Sequence, residues 1–281
     1  MRAKRLLFLH ANGFPAGVYR RFLERLATAI EVLPFAVLET EAATPAALRW
    51  RRMREQVEER LLALDAEGPG TALVGHSMGG YLALMAAARA LPTRHPIVLV
   101  DSPILGPGRS ALLSFVQRTG LIAKLGPARV AARRRYTWQD RAEAREFFGS
   151  KPFVKRWAPG VLDDFIEHGL RDLPSAPGKG TGGTTLRIPR EEERDIYAGL
   201  PHREAKRALH RLRAAGNPVG MVAGKASEEM RMVGWEHNRR LFGDRFIALD
   251  GGHLLPLEAP EECAQAVLAL LDRHPASGQN P

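Results

Sequence analysis

Short apolar runs separated by amphipathic stretches fill the first hundred residues. "KRLLFLH" (4–10) is apolar and ends at a turn, and "AGVYRRFLERLATAI" behind it repeats apolar residues at helical spacing, which predicts a strand followed by a helix. "EVLPFAVLE" predicts a second strand, weakened by Pro34, and Pro45 opens a long amphipathic helix reaching about Asp65. "TALVGHS" predicts a third strand that runs without a linker into the alanine-rich helix "MGGYLALMAAARAL", and "PIVLVDSP" predicts a fourth. Apolar strands alternating with helices imply an α/β fold, a mostly parallel, doubly wound sheet covered on both faces.

After Pro103 the alternation stops. Up to about Pro201 the chain reads as mostly helical and rich in arginine and aromatic residues, with "LPSAPGKGTGG" as a mobile loop near its end. The sheet pattern returns with "PVGMVAGKAS" (218–227) and "RFIALDGGH" (245–253). A last helix is expected from about Pro260 to Arg273, and "PASGQNP" is expected to fray. The organisation that follows is a core from 1–103 and 206–281 with a helical cap inserted at 104–205.

Composition narrows this picture. The 281 residues suffice for a full core, and the single cysteine, Cys263, excludes a disulfide framework and a cysteine-rich zinc site. Cys263 lies in an apolar helical stretch and reads as a small buried residue. The N-terminal apolar run is only "LLFL", too short for a signal peptide, and no run approaches the roughly 18 apolar residues of a membrane span. A soluble cytoplasmic protein with no membrane partner is expected. The net charge of +10 is scattered, with "ARRRY" (Arg133 to Arg135) and "RWRRMR" (Arg49, Arg51, Arg52, Arg54) the densest runs. Neither belongs to a nucleic-acid module, so solvated faces are expected and no nucleic-acid partner, with steering of an anionic substrate the alternative use of the charge.

Candidate chemistry begins at "VGHSMGG" (74–80). Ser77 stands at the predicted junction of strand and helix, with Gly75 and Gly79 two residues to either side. So tight a turn needs small neighbours, and the helix N-terminus points free backbone N–H groups, that of Met78 foremost, at charge developing on a substrate oxygen. His76 leaves the backbone on a different side from Ser77 and reads as a packing residue.

Three motifs in order, "LHANGFP", "GHSMGG" and "GGHLLPLEAPEE", together resemble the α/β-hydrolase superfamily, spanning 4–273 with their flanking elements. The resemblance implies a serine esterase-like member with a cap, acting without a cofactor or metal on a small-molecule, ester-like substrate. It makes Ser77 the nucleophile and His253 the general base, with the N–H groups of Asn12 and Met78 as the oxyanion hole. His10 would orient the turn in which Ala11 replaces the usual glycine. One part departs from the pattern. The family's acid falls three residues after the glycine corresponding to Gly224, and here that position is Ser227. Asp101, at the end of "PIVLVD", is the first candidate replacement, and Glu229 and Glu228 are the others.

A serine at this position implies acyl transfer, with carboxylic esters and thioesters as the natural substrates and amides or C–C bonds open to the same parts. In the cap, Trp138, Phe147, Phe148, Phe153, Trp157 and Phe165 read either as core or as an apolar lining. Arg133 to Arg135 and Lys155 read as solvated surface or as a grip on a carboxylate or phosphate, and the glycines at 178–183 as a hinge. The rival reading is a ligand receptor that keeps the fold without turnover.

Overall fold

The computed structural model describes residues 3–119, 126–174 and 182–273. The hinge glycines at 178–181, most of the loop expected to be mobile, and the terminal "PASGQNP" lie outside the described residues.

The first hundred residues form β1 (Arg5–Leu9), α1 (Arg20–Ala27), β2 (Glu31–Pro34), α2 (Ala46–Glu67), β3 (Thr71–His76), α3 (Met78–Arg89) and β4 (Ile97–Val100). Then come α4 (Pro107–Arg118), α5 (Gly126–Arg133), β5 (Thr137–Trp138), α6 (Arg141–Gly149), α7 (Val161–His168), β6 (Leu170–Asp172), β7 (Thr184–Leu186), α8 (Arg190–Ala198) and α9 (His202–Ala214). The chain closes with β8 (Val219–Gly224), α10 (Glu228–Val233), α11 (Trp235–Phe242), β9 (Phe246–Leu249), α12 (Leu255–Glu258) and α13 (Pro260–Asp272).

Six parallel strands make one sheet in the order β2-β1-β3-β4-β8-β9. Successive strand side chains point to opposite faces, so each apolar strand feeds two cores. Leu7, Leu9, Leu73, Leu99 and Met221 pack with α2, α3 and α9 on one face. Leu6, Phe8, Val74, Val98 and Val222 pack with α1 and α13 on the other. Burying a large apolar side chain contributes about 1.5–3 kcal/mol, and these runs are buried on both faces, which is why they read as continuous rather than alternating. Pro34 closes the edge strand β2, where a missing N–H costs least.

Every residue of α3 from Met78 to Ala88 is buried, between the sheet on one side and α2 and α9 on the other, which explains its alanine-rich composition. From β1 the connections run outward to β2 and then return past it to β3. The winding therefore reverses between β1 and β3, and the space beyond their carboxyl ends is the usual place for a ligand in such sheets.

The stretch expected to be mostly helical also carries a three-stranded antiparallel sheet, β5-β7-β6, with strands of two or three residues. Its aromatic residues pack on one another and on Phe14. Ring centroids of Phe148 and Phe165 lie 4.7 Å apart, and those of Phe14 lie 5.9 Å from Phe165 and 6.2 Å from Trp157. Trp138, Phe148, Trp157 and Phe165 are thus buried core, whereas Phe153 is partly exposed. The basic runs are mostly paired: Arg49 with Asp195, Arg51 and Arg52 with Glu55, Arg54 with Glu58 and Glu204. Cys263 is buried, and among the described residues no helix is long and apolar enough to cross a membrane.

Candidate active site

Ser77 sits between β3 and α3 with φ 52° and ψ −113°, a backbone conformation that costs a non-glycine residue about 1–3 kcal/mol. The turn closes because Gly75 and Gly79 lack side chains. A Cβ on Gly75 would lie 2.3 Å from the Gly79 backbone, and one on Gly79 would lie 2.1 Å from the carbonyl oxygen of Leu9. The strain lifts the hydroxyl to the carboxyl end of the sheet, where His253, just beyond β9, meets it. Ser77 Oγ donates to His253 Nε2 at 3.0 Å, and His253 Nδ1 donates to Asp101 Oδ1 at 2.9 Å.

Asp101 follows β4, has a positive φ of 42° and is fully buried. An isolated buried carboxylate is costly, and here three donors offset that cost. Its Oδ2 accepts the Gly224 N–H at 2.8 Å, and its Oδ1 accepts the Ser227 hydroxyl at 2.7 Å besides the imidazole. Ser227, at the position where the family pattern puts the acid, thus hydrogen-bonds the carboxylate supplied by the neighbouring strand. Its oxygen also accepts the Met230 N–H and caps α10. Of the other candidate acids, Glu229 Oε2 stands 3.7 Å from His253 Nδ1, whereas Glu228 is exposed and faces Arg231.

Burial opposes protonation of His253, but the hydrogen bond and charge of Asp101, with the charges of Glu229 and Glu258, outweigh it and raise the pKa above the ordinary 6.5. Glu258 accepts the Gly252 N–H at 2.7 Å and pairs with Arg156.

His76 is buried and polar-bonded rather than merely packed. The Ala11 N–H donates to the Tyr19 hydroxyl (3.2 Å), the Tyr19 hydroxyl donates to His76 Nδ1 (2.8 Å), and His76 Nε2 donates to the His253 carbonyl (2.8 Å). Desolvation and the nearby His253 hold the His76 pKa down to about 3. His10 likewise accepts the Leu38 N–H at Nε2 and donates from Nδ1 to the Ala11 carbonyl, and burial lowers its pKa to about 4. Asn12 Nδ2 donates to the Glu193 carbonyl, fixing the turn to α8. The backbone N–H groups of Asn12 and Met78 make no hydrogen bond among the described residues.

Of the basic residues expected to grip an anion, Arg134 lies 2.5 Å from Glu193, whose carboxyl rests against Gly13, and Arg135 pairs with Glu143. Arg133 and Lys155 are exposed. No group of three or more metal-binding side chains occurs among the described residues. The partners that pattern reading missed are Tyr19, Glu258 and the anchoring role of Ser227. Only Ser227 carried a signal, a hydroxyl at the offset where a carboxylate was due.

Comparison with known proteins gives a consistent result. E-2-(acetamidomethylene)succinate hydrolase superposes with a TM-score of 0.69 at 18% identity, over 97% of this chain and 93% of that one. The thioesterase domain from the curacin biosynthetic pathway gives a TM-score of 0.68 at 19% identity, over 95% and 91%. At such identities the likeness is one of fold. The abhydrolase domain-containing protein ACTT2-1 of Alternaria alternata is 25% identical over 228 residues, which cover 71% of this chain and 82% of that protein. The model of the alpha/beta hydrolase family matches residues 6–266, and the chain belongs to that family.

Proposed function

We propose that the protein is a serine hydrolase that cleaves a carboxylic ester or thioester of a small molecule through an acyl-enzyme on Ser77. The observation that carries the reading is the unbroken hydrogen-bonded series from Ser77 through His253 to buried Asp101, set on a strained turn at the switch point of the sheet.

In this mechanism His253 Nε2 takes the Ser77 proton as Oγ attacks the substrate carbonyl. Asp101 holds the imidazole in the tautomer with its proton on Nδ1 and stabilises the imidazolium. The N–H groups of Asn12 and Met78 receive the oxyanion, and one such donor is typically worth roughly 3–4 kcal/mol of transition-state stabilisation. Collapse of the tetrahedral intermediate expels the alcohol or thiol, which takes the proton from His253. Water, deprotonated by the same imidazole, then releases the acid. The segment 104–205 serves as a cap over this site. Two of the similar proteins are named as a thioesterase and a succinate-derivative hydrolase, which supports a hydrolytic reading. The receptor reading drew on the irregular acid, and Asp101 at 2.9 Å from His253 favours turnover instead.

Treatment with a fluorophosphonate should place a single adduct on Ser77, mapped by mass spectrometry, and Ser77→Ala should lower hydrolysis of aryl esters and thioesters by at least about 10⁴-fold. Wild-type protein that neither takes the label nor turns over any ester of a chain-length series would overturn the reading.

A further inference from the structure

Two carboxylates face one ring nitrogen. Asp101 Oδ1 accepts the Nδ1 proton of His253 at 2.9 Å, and Glu229 Oε2 stands 3.7 Å from the same atom, beyond hydrogen-bond length but well inside the range of a charge. Their settings differ. Asp101 is sealed from water and holds three donors, whereas the Glu229 side chain keeps 39% of its exposure. Among the described residues Glu229 makes no hydrogen bond and no ion pair except with His253.

The third acid near the ring, Glu258, is occupied by the Gly252 N–H and Arg156. His76 faces the ring at 5.2 Å between centroids and stays neutral, with its pKa near 3. Tyr197 lies close enough to feel Glu229 and stays protonated, its pKa raised by burial. Among the described residues, Glu229 is therefore the carboxylate near the base that has no donor or cation other than the imidazole. Its place is set by Ser227, which caps α10 and thereby turns the second residue of that helix toward the imidazole.

We infer that Glu229 is a positioning residue for His253, an auxiliary acid whose charge strengthens the base beside Asp101 and whose longer side chain can take the Nδ1 proton when Asp101 cannot. The inference rests on the reading of Ser77 as nucleophile and His253 as base. In the wild type the effect is Coulombic: a second negative charge favours the imidazolium formed as Ser77 attacks. When Asp101 loses its charge, rotation of the Glu229 side chain closes the gap below 1 Å that separates it from hydrogen bonding.

The test combines a pH profile with a mutant cycle, using an aryl ester and titration of Ser77 with a fluorophosphonate in every variant. Glu229→Gln should move the acid limb of kcat/KM down by about half a pH unit, a roughly threefold weaker hold on the proton, and the shift should shrink in high salt. Glu229→Asp, which keeps the charge one methylene farther away, should return part of it. In an Asp101→Asn background, Glu229→Gln should remove at least a further tenfold, roughly, and more than it removes from the wild type. A purely structural role would change unfolding and leave the acid limb in place. If wild type labels and turns over while Glu229→Gln leaves the limb unmoved and costs nothing beyond Asp101→Asn, the auxiliary role is wrong and the serine-hydrolase reading stands. If wild type fails to label at Ser77, both fall.

Discussion

The ends of β4 and β8 lie side by side, in register from Val100 to Val222, and both deliver a polar side chain to the same imidazole environment. One delivers Asp101, buried and bonded on every side, and the other delivers Ser227, a hydroxyl where relatives of the usual pattern carry the acid. Parallel strands lie about 4.8 Å apart, so a carboxylate on either strand end can reach His253. What the site requires is an ionised oxygen at Nδ1 with its other lone pairs satisfied. The strand that supplies it is secondary, provided its neighbour supplies a donor. On the proposed reading, Ser227 is thus the counterpart of a relocated acid, Asp101.

Removing the acid should have the largest effect on this comparison. Asp101→Asn is expected to lower kcat by about 10²- to 10³-fold, with Ser77 still open to a fluorophosphonate. Exchanging the two positions, Asp101→Ser with Ser227→Asp, should recover roughly tenfold over Asp101→Ser alone, measured on the same ester. An exchange no better than the single change would show that the end of β4 alone satisfies the geometry. Ser227→Ala should cost about tenfold in kcat. It should also lower the unfolding free energy by about 2 kcal/mol in urea titrations, because it removes a hydrogen bond to a buried charge and a helix cap together.

The smallest effect concerns pH. With His253 as the proposed base, its raised pKa should put the acid limb of kcat/KM above 6.5, since the imidazole must be neutral to act. Stability carries the opposite sign for its neighbours. His10 and His76, held near 4 and 3, resist protons that the unfolded chain accepts near 6.5, so their contribution is present above that pH and declines as pH falls toward those values. His253 adds stability below 6.5 that is lost as pH rises through its folded pKa. Urea midpoints should therefore drop below about pH 6.5, and His76→Gln should flatten that slope.

How much of this could be read beforehand depended on how local the constraint was. The turn at Ser77 was legible because close backbone approach at Gly75 and Gly79 leaves a mark at fixed spacing. His253 was legible through the glycines before it and the helix after it. Asp101 was legible only as one of three candidates, because choosing among them depends on which strands are neighbours. Tyr19 and His76 meet across 57 positions and leave no periodic trace. The small sheet escaped because strands of two or three residues cannot show alternation. The arginine runs were legible in part: Arg51, Arg52, Arg133 and Arg135 are exposed, whereas Arg49 is buried against Asp195 of a distant helix, a pairing that no local pattern shows.

The bonds linking Ala11, Tyr19, His76 and His253 all point one way. An amide N–H at one end cannot accept and a carbonyl at the other cannot donate, so no member can reverse its polarity while the termini stay put. The histidine directly before Ser77 is thereby held in one neutral form and barred from trading protons with the ring beside it. The two loops at either end of this line are thereby tied to each other through two buried side chains.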